Sequence, residues 1–198
     1  MSRVPNSSMS ESEYLAFERA SEIRHEYYRR QIFAMTGASA SHNWITDSLI
    51  VVLRERLRGT TCRPYSSDMR VHIIGSGLYT YPDVVIACPP EFKDDRTDTL
   101  VNPKIIIEVL SPSTESYDRG KKFDLYRGAA TLQQYVLVSQ DLPRVISYTR
   151  QSNGVAWLMD PLDGLEATLE LPTLAASIPL TEIFRDVEFP IPPVSQVD

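Results

Sequence analysis

The chain has 198 residues, of which 42% are hydrophobic and 23% are charged, and its formal net charge is −6. This length and composition predict a single domain with a sizeable core, and the acidic balance argues against nucleic-acid binding through bulk positive charge. No segment has the length and apolarity of a membrane span, and the polar N-terminus lacks the apolar part of a secretory signal, so a cytoplasmic location is expected.

The N-terminal third predicts a helix, a hairpin and a longer helix. Residues 1–9 are expected to be a frayed leader, and the capping-box pattern that begins at Ser10 predicts a helix to about Ala20. Residues 24–35 are aromatic and β-branched around a polar centre, which predicts two strands with Glu26 on the first. Apolar residues at helical spacing then predict a helix from Ser39 or Ser41 to Gly59.

The middle of the chain predicts a hairpin followed by a strand, a helix and a strand. Residues 69–73 and 78–88 alternate around a glycine-rich turn, which predicts an antiparallel hairpin with Asp83 on its second arm. Residues 89–102 predict a loop, and 104–110 are apolar throughout, which favours a central strand. A helix over 117–130 and a strand over 134–138 complete a crossover unit with parallel pairing.

The C-terminal part predicts short antiparallel strands over 144–149, 155–159 and 165–171, joined by Asn-Gly and Asp-Gly turns. A helical turn is expected at 180–184, and 188–198 should form a Pro-rich tail. One α/β domain is therefore predicted for residues 1–198, with its folded part at 10–187. The two cysteines, Cys62 and Cys88, form neither a disulfide framework nor a zinc cluster and are interpreted as reduced thiols.

Two acidic residues stand inside strand-like runs. Asp83 follows Tyr81-Pro82 and precedes three β-branched residues, and Glu108 follows three isoleucines. Because burying an unpaired carboxylate costs on the order of several kcal/mol, a divalent cation shared by both acids would explain them. The alternative is a turn-capping acid at Asp83 and a strand-end acid at Glu108 that reaches solvent.

Longer strings around these acids carry a family resemblance. Pro82-Asp83 followed by Ile107-Glu108-Val109-Leu110 resembles the core motif of the PD-(D/E)XK nucleases, and almost the whole chain is similar to the Uma-two family of restriction-like endonucleases. The strings are Tyr79-Thr80-Tyr81-Pro82-Asp83-Val84-Val85, Ile107-Glu108-Val109-Leu110-Ser111-Pro112-Ser113-Thr114, Tyr117-Asp118-Arg119-Gly120-Lys121-Lys122-Phe123 and Tyr135-Val136-Leu137-Val138-Ser139-Gln140-Asp141. The resemblance implies a restriction-endonuclease-like core: a central mixed sheet flanked by helices, with an added N-terminal hairpin and C-terminal antiparallel strands.

The resemblance also implies a catalytic lysine, which this chain must supply from outside the simple motif. Leu110 occupies the position two residues after Glu108, where the wider superfamily has lysine. We expect Lys122 to take that role from the following helix, because it shares a helical face with Tyr126, whereas Lys121 should lie on the solvated flank. The alternative for Lys122 is a surface salt bridge to Asp118.

Two further residues near the N-terminus are candidates. Glu26 corresponds to an acid that related nucleases provide to the metal or its waters, although a cross-strand pairing with Arg29 or Arg30 is an equally good interpretation. His42 resembles a histidine of the family, but no partner follows from spacing, so a helix-terminus or core histidine is the preferred interpretation.

The predicted chemistry is metal-dependent phosphodiester hydrolysis, with DNA as the preferred substrate. Asp83, Glu108 and the Val109 carbonyl would bind Mg²⁺ or Mn²⁺, and Arg119 and Lys121 would contact phosphate locally. One alternative is a catalytically idle member of the fold that binds nucleic acid or a protein; another is a metal site for a small phosphorylated substrate. The oligomeric state is left open, with a homodimer as one alternative.

Overall fold

Two six-stranded β-sheets and a two-stranded sheet form the framework of the protein. The computed structural model describes residues 8–35 and 37–189, together with the backbone of Ser2–Arg3. In chain order the strands are β1 (Ser2–Arg3), β2 (His25–Tyr28), β3 (Gln31–Ala34), β4 (Arg63–Ser66), β5 (Arg70–Ile73), β6 (Leu78–Thr80), β7 (Val84–Ala87), β8 (Thr99–Leu100), β9 (Ile105–Leu110), β10 (Gln134–Ser139), β11 (Arg144–Arg150), β12 (Trp157–Asp163), β13 (Thr168–Leu171) and β14 (Ala176–Pro179).

Short and long helices connect and cover these sheets. They are α1 (Glu11–Ala20), α2 (Ala40–Arg56), α3 (Glu115–Tyr117), α4 (Phe123–Tyr126) and α5 (Leu180–Ile183). The predicted capping box is present on α1, where Ser10 accepts from the Glu13 amide and the Glu13 carboxylate accepts from the Ser10 amide. Ser39, one of the two candidate caps, begins α2. None of the helices in the described ranges is long and apolar enough to cross a membrane.

One of the two six-stranded sheets has the longer strands and is called the larger sheet below; the other is called the smaller sheet. The larger sheet is mixed and has β9 near its centre. Its strand order is β12-β11-β10-β9-β7-β4, with β9 and β10 parallel and the other neighbours antiparallel. All six residues of β9 are buried, as the sequence predicted for a central strand. The parallel β9–β10 pair and the helical segment between them confirm the predicted crossover, and together with the helices they confirm the mixed α/β fold class.

The alternation of side chains along β9 decides which way its acid points. Ile105, Ile107 and Val109 pack in the core that contains α2, whereas Ile106 and Leu110 pack in the core that contains α4. Because strand side chains alternate between faces, Glu108 lies on the α4 side. The acid on β9 is therefore directed at the helix that follows the strand.

The second arm of the predicted hairpin does not continue as one strand. β6 ends at Thr80 in the smaller sheet, whose order is β1-β3-β2-β6-β5-β8, and β7 begins at Val84 in the larger sheet. Pro82 cannot donate to a ladder, so the chain leaves the first sheet here and enters the second. Asp83 lies in this crossing, immediately before β7, rather than within a hairpin arm.

The predicted helix over 117–130 is shorter and irregular. Helical structure runs from Glu115 to Tyr126 and contains a π-helical turn at Asp118–Lys122 between α3 and α4. Gly120 lies inside this turn, where its low helix propensity lowers the cost of irregular backbone. After Tyr126 the chain turns, and the Gly128 backbone lies so close to Gly75 that a Cβ on Gly75 would be 2.2 Å from the Gly128 carbonyl oxygen.

The interpretation of the cysteines as reduced thiols is wrong. Cys62 and Cys88 form a disulfide, and within the described residues no cysteine is free. The reason is the antiparallel pairing of β4 with β7, which sets Arg63 opposite Ala87 and thereby brings the flanking cysteines face to face. Strand β4 was not predicted, so nothing in the sequence pattern indicated that the two thiols were neighbours.

The chain ends differ from expectation in three places. Ser2–Arg3, expected to belong to a frayed leader, pair with β3 because the edge of that hairpin offers free backbone groups. Near the C-terminus, β12 runs to Asp163, and the unpredicted β14 pairs with β13. The Pro-rich tail lies outside the described residues from position 190 onward.

Candidate functional site

A cleft of about 550 Å³ opens where the start of α2, the crossing before β7 and the end of β9 meet. Four of the residues singled out from the sequence line it: Asp83, Glu108, Val109 and Lys122. Glu26 lines a neighbouring, smaller cavity. The fold thus brings together residues from four separate elements, which are up to 96 positions apart between Glu26 and Lys122.

Asp83 is fixed by two donors on the same carboxylate oxygen. Its Oδ2 accepts from the Val109 amide at 2.8 Å and lies 3.1 Å from His42 Nε2. The pairing of Val84 with Ile107 in the β7–β9 ladder sets this register. Among the described residues, no hydrogen bond reaches Oδ1, so that oxygen is available to a ligand.

Glu108 is 3% exposed and meets Asp83 across the same pair of strands. Its Oε2 is 3.4 Å from the Asp83 amide, which donates to it, and its Oε1 accepts from the Tyr126 hydroxyl and from Lys122 Nζ, the latter at 2.9 Å. The Asp83 amide donates to the Glu108 carboxyl group, and the Val109 amide donates to the Asp83 carboxylate. The two acids therefore lie next to each other. Asp83, immediately before β7, thus lies next to Glu108 of the neighbouring strand β9, although Asp83 itself is not in a strand as the sequence predicted.

Lys122 provides the ammonium of the site. Its Nζ lies 2.9 Å from Glu108, 3.3 Å from Asp118 and 3.7 Å from Glu26, and the residue is 4% exposed. Lys121 is exposed instead, with its Nζ 5.7 Å from the centre of the Tyr28 ring. The helical register therefore directs Lys122 to the acids and Lys121 away from them. The salt bridge to Asp118, which was the alternative interpretation of Lys122, is present but buried.

Glu26 is buried and belongs to the same cluster. Its Oε1 accepts from the Thr80 hydroxyl and its Oε2 from the Tyr117 hydroxyl at 3.3 Å, in addition to the approach of Lys122. Within residues 8–35 and 37–189, Lys122 is the cation that pairs with Glu26, and neither Arg29 nor Arg30 does so. Glu26 therefore lies on the far side of the lysine from the cleft.

Acidic side chains outnumber basic ones in this cluster. The carboxyl groups of Glu26, Asp83, Glu108 and Asp118 surround the Lys122 ammonium and the His42 imidazole. Burial raises the pKa of Glu108, Lys122 lowers it, and the nearby Asp83 and Asp118 raise it further, to about 8.

The surrounding acids raise the pKa of both basic groups. Burial lowers the pKa of Lys122, but the charges of Glu108, Tyr126, Glu26 and Asp118 outweigh burial and keep that pKa well above its usual range. Burial likewise lowers the pKa of His42, but the hydrogen bond and charge of Asp83 raise it above its ordinary value. The ammonium is therefore permanent near neutral pH, and a divalent cation bound here would favour the ionised form of Glu108.

Three residues of this arrangement were not identified as site residues from the sequence. His42 was interpreted as a helix-terminus or core histidine, Asp118 only as a surface partner of Lys122, and Tyr126 only as a marker of the helical face. His42 lies in the first turn of α2, and Ser39, which caps this helix, donates to Gln140 at 2.7 Å beyond β10. The cap at Ser39 locates the start of α2 in the sequence, but it does not indicate that His42 lies close to Asp83.

Two predicted phosphate contacts lie outside the cleft. Arg119 donates to Glu115 at 2.7 Å on the surface of the helix, and Lys121 lines the smaller cavity. Among the described residues, neither Arg119 nor Lys121 forms an ion pair or a hydrogen bond with Asp83. Their contacts with phosphate stay predictions.

The donor set around Asp83 suits a small hard cation that keeps its waters. In the described ranges no three His, Cys, Asp or Glu side chains are grouped as a ready metal site. Mg²⁺ is typically held by one or two carboxylates together with water and substrate oxygens, rather than by a full protein cage. Asp83 Oδ1 and Glu108 Oε2, with the adjacent Val109 carbonyl, match this requirement.

Comparison with known proteins gives a consistent result. The model of the Uma2 family, described as "Putative restriction endonuclease", matches residues 11–181. Two proteins of Synechocystis sp. (strain ATCC 27184 / PCC 6803 / Kazusa), "Uncharacterized protein slr1290" and "Uncharacterized protein sll1609", are each 36% identical to this chain. The first alignment covers 94% of this chain and 96% of the relative, and the second covers 82% and 92%.

A solved structure shares the fold. A crystal structure from Anabaena variabilis, described as "a putative nuclease belonging to DUF820", superposes with a TM-score of 0.71 at 17% identity. The superposition covers 89% of this chain and 97% of the other. At this identity the similarity establishes the common architecture.

Proposed function

The chain belongs to the Uma2 family of restriction-endonuclease-like proteins, and we propose that it is a metal-dependent endonuclease that hydrolyses phosphodiester bonds in DNA. One observation carries the proposal: Asp83 and Glu108 adjoin across β7 and β9, and the Lys122 ammonium lies 2.9 Å from Glu108. Two carboxylates and one lysine in a single cleft provide the groups that this reaction requires.

Asp83, Glu108 and the Val109 carbonyl would hold Mg²⁺ or Mn²⁺. Such an ion, when bound, lowers the pKa of a coordinated water and neutralises charge on the scissile phosphate. His42 and the Val109 amide hold Oδ2 of Asp83, so the orientation of that carboxylate is set before any ligand arrives.

Lys122 acts as a charged donor in this proposal. Because its pKa is raised, its ammonium retains its proton near neutral pH and cannot serve as a general base. It instead stabilises the negative charge that develops on the phosphate oxygens. Glu26 and Asp118 hold the ammonium from its other sides, which fixes its position beside Glu108.

DNA is favoured as the substrate by the family description and by the chemistry of the cleft. A net charge of −6 gives no general attraction to nucleic acid, so affinity must come from local contacts and from the bound cation. The same reasoning predicts that binding depends strongly on the divalent ion.

The test is a nicking assay on supercoiled plasmid with Mg²⁺ or Mn²⁺. We expect activity that disappears with chelator and falls by roughly 10²–10³ or more in Asp83→Asn or Glu108→Gln, since each amide keeps the shape but removes charge that holds the cation. Circular dichroism verifies that both variants remain folded. Full activity in both variants would refute the proposal, and binding of DNA without nicking by the wild-type chain would identify a binding module instead.

A further inference from the structure

A second cavity, of about 310 Å³, adjoins the cleft and is not used by the proposed chemistry. Three aromatic side chains line it: Tyr28, Phe33 and Tyr117. Its volume is at the lower end of the roughly 300–1,000 Å³ found for small-ligand pockets. The cavity is therefore large enough for one planar group and its immediate substituents.

The cavity and the cleft share a wall. Ser113 and Thr114 line both spaces, and Glu26, which lines the cavity, lies 3.7 Å from Nζ of Lys122, which lines the cleft. The Glu26–Lys122 ion pair thus joins a residue of the cavity to a residue of the cleft. A ligand that occupied both would have neighbouring parts on either side of Lys122.

Two cations lie beside the Tyr28 ring, and one of them, Lys121, also lines the cavity. Lys121 Nζ is 5.7 Å and the Arg29 guanidinium carbon is 5.2 Å from the centre of the Tyr28 ring. Neither cation forms an ion pair with a carboxylate in the described part of the chain. In an acidic protein, two such cations beside an aromatic ring favour an anion that carries a flat, stackable group.

Resting on the proposed nuclease function, we infer that this cavity receives the base of an unpaired nucleotide next to the scissile phosphate. The base would stack on the aromatic side chains, and Lys121 and Arg29 would contact its phosphate. A base in an intact duplex must first be unstacked and unpaired before it can enter a side cavity, a cost that an already unpaired base does not have. The preferred substrate is therefore single-stranded DNA, or DNA with an unpaired segment, rather than uninterrupted duplex.

The test compares binding of a fluorescein-labelled single strand and its duplex by anisotropy in Ca²⁺, which offers the carboxylates a hard dication in place of Mg²⁺, and a gel verifies that the strands stay intact. We expect Tyr28→Ala to weaken single-strand binding by about tenfold, as for the loss of one stacked base, and to leave duplex binding unchanged. Tyr28→Phe retains the ring and should bind like wild type. Lys121→Gln should weaken single-strand binding, whereas the matched control Lys104→Gln, at the opposite end of β9, should not.

The outcomes separate the inference from the function on which it rests. Equal effects of Tyr28→Ala on single strand and duplex, or no effect on either, would overturn the inference. If one of these binding results overturns the inference while the wild-type chain still nicks plasmid, the nuclease function stands without the base subsite. If the wild-type chain neither binds nor cleaves any DNA in Mg²⁺ or Mn²⁺, both proposals fail.

Discussion

The raised pKa of Glu108 makes a quantitative prediction about stability in the absence of metal. Its carboxyl has a pKa of about 8 in the folded protein against an ordinary value of 4.5. Between these values the folded state keeps a proton that the unfolded chain has lost, so the free energy of unfolding falls as pH rises. The full slope is about 1.4 kcal/mol per pH unit, so the loss from about pH 5.5 to about pH 7.5 should be about 2–3 kcal/mol.

The Glu108→Gln variant isolates the contribution of Glu108 to the free energy of unfolding, because it removes the titrating carboxyl group and leaves the other titratable groups in place. We would measure the free energy of unfolding by urea titration in chelator, at several pH values, for both proteins. The wild-type value minus the Glu108→Gln value should decrease with pH across this window. The pKa of His42 is also raised, but His42 contacts Asp83 rather than Glu108, so its contribution largely cancels in the difference. Parallel profiles for the two proteins would refute the reasoning.

Three other predictions concern the lysine, the histidine and the disulfide. Lys122→Met should reduce nicking by roughly 10²–10³ while Lys121→Met does not, and the reverse order would show that the helical register assigned here is wrong. His42→Ala should weaken Mn²⁺ binding in calorimetry about 10–100-fold, with nicking restored at saturating metal, because the histidine positions Asp83; unchanged affinity would contradict this role. Reduction of Cys62–Cys88, which spans 26 residues, should lower the free energy of unfolding by about 3–4 kcal/mol in urea titration, and a double serine variant should not respond to reductant.

Local patterns in the sequence were sufficient for the elements that carry the site. The capping box predicted α1, the apolar run predicted β9, and helical spacing selected Lys122 over Lys121 as the lysine that faces the acids. Each of these inferences depends on residues within a few positions of each other, where side-chain periodicity is informative. The roles of these residues in catalysis stay predictions.

Features that depend on long-range pairing could not be predicted in the same way. Asp83 lies in a crossing between sheets, which alternation of residues cannot distinguish from a continued strand. The contact of His42 with Asp83 joins residues 41 positions apart, and the disulfide depends on a strand with little apolar alternation. In each instance the tertiary register, rather than local propensity, decides the contact.

The placement of the ammonium on a helix affects how this protein can evolve. Because Lys122 supplies the ammonium, position 110 holds a leucine that is 5% exposed and belongs to the core. Lys122 in turn reaches Glu108 only if its helical segment packs correctly on the sheet. Leu125 and Tyr126 provide that packing through their burial in the same core. A substitution at Leu125 or Tyr126 would therefore move the Lys122 ammonium relative to Glu108, although Lys122 itself is unchanged. We therefore expect the position of the ammonium to be less sensitive to substitutions elsewhere in the core than to substitutions at Leu125 and Tyr126.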